Sequence, residues 1–99
     1  MIRGTTPTLE FIMPFDTDLL EEVWITFYQR GEVVLDKKLE ECSCEGTTIR
    51  VTLTQEETLK LRCKCEAEFQ IRYKTKGGDA NASDIMRDFV ERILKDGEI

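Results

Sequence analysis

Apolar and polar residues alternate along five stretches of the chain. In Thr8–Met13 the residues Leu9, Phe11 and Met13 share one face. In Val23–Gln29, Val23, Ile25 and Phe27 lie on one side, and Trp24, Thr26 and Tyr28 on the other. Glu32–Leu39 presents Val33, Leu35 and Leu39. Thr48–Thr54 sets Ile49, Val51 and Leu53 against Arg50 and Thr52. Cys65–Thr75 is the longest, with Cys65, Ala67, Phe69, Ile71 and Tyr73 opposite Glu66, Glu68, Gln70, Arg72 and Lys74. A period of two with polar partners marks half-buried antiparallel strands. Arg30-Gly31 is a tight hairpin link between the second and third stretches. Glu45-Gly46 and Gly77-Gly78-Asp79 read as turns. Asp18-x-x-Glu21 and Thr54-x-x-Glu57 have the form of capping boxes, each opening a single helical turn.

The segment SDIMRDFVERILKDG breaks the pattern. Ile85, Met86, Phe89, Val90, Ile93 and Leu94 fall at helical spacing, Ser83 is placed to cap and Gly97 to terminate. Arg87 with Glu91, and Glu91 with Lys95, make i,i+4 pairs. By periodicity alone, residues 83–95 form an amphipathic helix, and the fold is then α+β. The strand alternative puts Ile85, Arg87 and Phe89 on one face.

Several stretches resemble a group of short prophage-encoded proteins of Gram-positive bacteria: RGTTPTLEFIMPFDTDLL, EVWITFYQRGEVVLDKKLEEC, VTLTQEETLKL and the closing ILKDGEI. The similarity covers nearly the whole chain. It implies a place among phage structural genes, with tail or baseplate proteins as partners. No enzymatic motif defines the group, so no catalytic residue carries over. Such proteins fill the C-terminal region with threonine, valine and glycine, which suit a strand. The resemblance therefore implies a mainly β fold, an immunoglobulin-like antiparallel β-sandwich closed by a sixth or seventh strand. The expectation for residues 83–95 follows it, because tertiary context overrides local helix propensity.

Composition sets limits. Ninety-nine residues, 40% apolar, make one domain of residues 1–99, large enough to fold without a staple. Twenty acids against fourteen bases give a net charge of −6. No basic run stands out, which argues against nucleic-acid binding. No stretch approaches the ~18 apolar residues of a membrane span, and Glu10 interrupts the only apolar stretch near the N-terminus. The expected place is the cytoplasm when synthesised, and the virion afterwards. With no histidine, no His-based triad or base is available, and the expectation is a non-enzyme without cofactors.

All four cysteines sit between Cys42 and Cys65, as the pairs Cys42/Cys44 and Cys63/Cys65. Four thiolates suit zinc. Cys-x-Cys on a strand, however, spreads its Cα atoms to about 6.6 Å, and the intervening strand separates the pairs by roughly 20 Å. A disulfide within either pair would be strained, and cytoplasmic thiols stay reduced. The expectation is unlinked thiols with Cys65 in the core. Asp16-x-Asp18 hints at calcium, but Glu21 and Phe27 stand where an EF-hand needs glycine and a bidentate glutamate. Trp24 and Tyr28 are the candidate partner-binding residues, since one face of their strand should be wet. Two modes of action follow: assembly with other phage structural proteins or by self-association, through this face or a sheet edge; or an intracellular regulatory module that binds a protein through its acidic surface.

Overall fold

A computed structural model describes Met1–Ile99. The chain is mainly β. Eight strands run β1 (Thr8–Ile12), β2 (Leu20–Gln29), β3 (Glu32–Lys38), β4 (Ser43–Glu45), β5 (Thr48–Thr52), β6 (Cys65–Thr75), β7 (Ala80–Ala82) and β8 (Met86–Val90). One short helix, α1 (Gln55–Leu59), links β5 to β6, and two 3-10 turns cover Thr17–Leu19 and Leu39–Glu41.

Two antiparallel sheets form, ordered β1-β5-β4 and β3-β2-β6-β7, with β8 continuing along the same edge of β6 as β7. This is the B-E-D and C′-C-F-G order of an immunoglobulin-like sandwich, with β7 and β8 sharing the G position. Ile2 bridges in parallel to Glu91, so the N-terminal segment lies along the end of that last strand.

The inward residues of both sheets make the core. Phe11 from β1, Val23, Ile25 and Phe27 from β2, Ile49 and Val51 from β5 and Ile71 from β6 are all buried in one cluster. Phe69 joins the sheets, edge-on to Phe11 at 6.4 Å and stacked on Phe27 at 5.6 Å. Four buried polar or charged residues intrude, and no buried side-chain nitrogen or oxygen lacks a partner. Thr17 donates to Gly46 O and Thr58 to Thr5 O. Gln29 clamps the backbone of Arg62 by accepting from its N–H at 2.7 Å and donating to its C=O at 2.8 Å. Lys37 reaches the carboxylate of Glu57 at 2.7 Å.

Local chemistry explains the connections. Arg30 and Gly31 take positive φ values of 54° and 82°, as a two-residue hairpin requires. Thr54 and Glu57 form the reciprocal cap of α1. The other proposed box does not form: Asp16, not Asp18, caps its turn, by accepting from Asp18 N at 2.9 Å. In β3 a bulge opposite Phe27 and Tyr28 inserts Val34, which turns that residue toward the core and leaves Val33 exposed.

Residues 83–95 do not form a helix, so the α+β alternative is excluded. Met86–Val90 is a strand on β6 and residues 91–95 have no regular helix. The eleven-residue β6 explains the outcome: without β7 and β8 it would leave one edge of backbone N–H and C=O groups bare. Closing that edge outweighs the gain from a helical stripe, although Ile85, Phe89 and Leu94 stay exposed.

Candidate functional site

The cysteine pairs do not converge. Cys42 follows the second 3-10 turn, and its thiol donates to Lys38 O at 3.3 Å, beside the Trp24 level of β2. Cys65 opens β6, where its sulfur accepts from Gln29 Nε2 at 3.1 Å. Five residues of β2 separate those levels, about 17 Å of strand. All four thiols are free, and no three His, Cys, Asp or Glu side chains come together as metal ligands. Cys65 also stops short of the core. It is half-buried, and the nearby fully buried positions are Leu61, Ala67 and Val90. Burial pushes the Cys42 thiol up to about 11, helped by neighbouring Cys44 and Glu41. Cys44 is raised in turn by burial and by Asp18. Neither is an activated nucleophile.

Trp24 and Tyr28 share the outer face of the larger sheet but differ in availability. Trp24 is claimed by its own neighbours: Nε1 donates to Glu22 at 2.6 Å, and the Lys38 ammonium sits 5.3 Å from the ring centre. Tyr28 is open, 39% exposed, between Val33 on β3 and Glu68 on β6. Beside it Thr26, Glu68, Phe69, Gln70 and Ile85 enclose a shallow hollow of about 240 Å³ with Tyr28 at its wall. Ile85 and Phe89 are half exposed. Phe89 faces outward opposite Glu66, so the apolar surface extends toward the last strand, with Arg87 and its partners Glu66 and Glu68 between.

The edges of the larger sheet are less inviting. β3 carries the Val34 bulge and an inward-pointing charge at Lys37, and the opposite edge is broken between β7 and β8. Both devices oppose an added strand.

Acidic side chains gather at the end where β2 begins. Glu21, Glu22 and Glu40 line one hollow there with Trp24 and Lys38. At the other end the structure assembles what the sequence did not announce: a concave surface lined by Arg3, Arg30, Lys60, Arg62, Lys64 and Arg92. These six of the fourteen bases come from four separate parts of the chain. Only the Arg62–Lys64 neighbourhood was visible as a pattern, and there single residues alternate with cysteines.

No protein-family model matches the sequence, and no characterised protein matches it either. No helix is long and apolar enough to cross a membrane.

Proposed function

We propose that this chain is a non-enzymatic, prophage-encoded protein-interaction domain, a component or accessory of phage tail or baseplate assembly. It acts by docking the outer face of its larger sheet on another structural protein or on a second copy. One observation carries the mode of action. Tyr28 stands open on a rigid five-stranded sheet beside a hollow walled by Ile85, with Val33 exposed next to it. Open aromatic and branched side chains on a fixed scaffold are what a protein contact uses. The biological setting rests on the sequence resemblance alone, and synthesis in the cytoplasm followed by incorporation in the virion goes with it.

The test is co-expression with the products of the neighbouring reading frames, followed by affinity capture. The expected result is capture of a tail or baseplate protein, retained at high salt, where screening leaves an apolar contact intact. Tyr28→Asp combined with Ile85→Asp should weaken it about thirtyfold, the effect of losing a contact hot spot. Because Trp24 is covered by Lys38 and Glu22, Trp24→Ala should cost less. A capture indifferent to both Asp substitutions refutes the face. Neighbouring frames without phage structural genes refute the setting.

A second reading is favoured by the hollow at Glu21, Glu22 and Glu40: an intracellular regulatory module that holds a basic protein on its acidic end. Such a partner would be released by salt, because charge-driven contacts are screened.

A further inference from the structure

The groove at the far end from the acidic residues has a volume of about 610 Å³. Arg3 reaches it from the N-terminal segment, Arg30 from the tip of the β2–β3 hairpin, and Lys60, Arg62 and Lys64 from the link between α1 and β6. Arg92 reaches it from beyond β8. The backbone beneath is fixed. Gln29 clamps Arg62 on both its N–H and C=O, and Lys64 N donates to Val90 O at 2.8 Å. Arg3 is held by Leu59 O at 2.9 Å and Leu61 O at 3.0 Å.

Five of these cations are unanswered. The ion pairs of the chain include Arg3 with Asp96 but none for Arg30, Lys60, Arg62, Lys64 or Arg92. All five are exposed and solvated, but set around one concavity they sum to a local positive field in a molecule of net charge −6. A ligand of opposite sign complements that field. We infer that the groove is an anion-binding site and that its ligand is a carboxylate-rich segment of another polypeptide. This is independent of the outer sheet face.

Three observations favour carboxylates over the phosphates of a nucleic acid. The chain already seats one carboxylate here, Asp96 on Arg3. The apolar lining is Leu59, Leu61, Cys63 and Ile93, with no aromatic ring on which a base could stack. The net charge of −6 repels a long polyanion, whereas a short acidic segment meets mainly the local field. Arginine suits the role because its planar fork takes a carboxylate through two parallel hydrogen bonds.

The test titrates fluorescently labelled decaglutamate, and separately a labelled single-stranded deoxyoligonucleotide, against the whole chain at low and moderate salt. Decaglutamate is expected to bind, and to bind more tightly than the oligonucleotide. Its affinity should drop about tenfold or more between low and physiological salt. Arg62→Glu with Arg92→Glu should weaken it by about thirtyfold. Lys60→Glu, on the rim and clear of the Gln29 clamp, repeats the test if the double variant unfolds. Asp96→Asn should tighten decaglutamate about threefold by releasing Arg3, the scale of one exposed ion pair. Tighter binding of the oligonucleotide would make the groove a nucleic-acid site and overturn the proposal. So would failure of both probes to bind at low salt, or decaglutamate binding indifferent to the substitutions. An unchanged affinity in Asp96→Asn would overturn the part assigned to Arg3.

Discussion

Lys37 is the most consequential single residue in the sandwich. It points inward from β3 opposite Ile25 and is almost out of water. Burial pulls its pKa down, but the hydrogen bond and charge of Glu57, with Glu41 3.6 Å away, outweigh this and leave it raised. For Glu57, burial pushes up, and Lys37 and the Thr54 amide together bring it below the ordinary 4.5. The signs fix the pH window. The Glu57 contribution is present above about pH 4.5 and is lost as pH falls through the lowered native value. The Lys37 contribution is intact below about 10.5 and fades only above it. Glu57→Gln should therefore destabilise the protein by about 1–3 kcal/mol at pH 7. In urea titrations the gap between variant and parent should shrink at pH 3. An undiminished gap there would mean that the loss does not come from the charge of Glu57, since glutamine can still accept from the Thr54 amide. Cys42 gives a second residue-scale expectation. With its thiol raised to about 11, it is protonated at neutral pH, so iodoacetamide should label it slowly and about tenfold faster for each pH unit up to pH 10. Peptide mapping after timed alkylation reads this directly, and fast labelling at pH 7 would contradict it. Neither residue's situation was legible beforehand. Alternation puts Lys37 on the face of Leu35, but its pairing with Glu57 is a long-range contact that no local pattern marks, and nothing in the local sequence marks the bulge that turns Val33 outward.

Among the elements, the five alternating strands were readable because a period of two survives in a single sequence. The capping box at Thr54 was readable because it is local. Two strands were missed, and a third, β8, was expected from the resemblance and not from periodicity. β4 and β7 have three residues each, too short to show a period. β8 lies inside a run whose spacing is helical. What decides that segment is the open edge of β6, a long-range fact. Ser83 shows the decision in one side chain. By sequence it is a helix cap; in the fold it spans the break between β7 and β8. Its N–H donates to Ile71 O at 2.9 Å, its Oγ accepts from Ile71 N at 3.2 Å, and its C=O accepts from Gln70 Nε2 at 2.8 Å. A hydroxyl thus stands in for the missing ladder carbonyl. Ser83→Ala should leave the Ile71 amide without a partner, at a cost of about 1–3 kcal/mol. Ser83→Thr should keep most of the stability. Hydrogen exchange at the Ile71 amide would report the change, and equal protection in Ser83→Ala would show that the backbone alone closes the edge.

At the scale of the whole molecule, charge is sorted along a body 46 Å long, with carboxylates where β2 begins and unpaired cations where it ends. The summed charge, which is all the composition offers, hides this. Of the candidate surface, Tyr28 was placed correctly by alternation. Trp24 was placed on the right face, but its engagement by Lys38 and Glu22 depends on a cross-strand register that no periodicity reveals. The strand order has a further consequence, for synthesis. Strands that enclose the core pair across long stretches of chain, as β1 and β5 do, where Thr8 and Thr52 lie 44 residues apart. Topologies of this kind fold in milliseconds to seconds, because large loops must close before their contacts form. A nascent chain that has released β6 but not β7 and β8 carries a long strand with one side unpaired. During that interval each emerging copy presents a template for its neighbours on the same message, and the emergence of β7 and β8 ends the hazard.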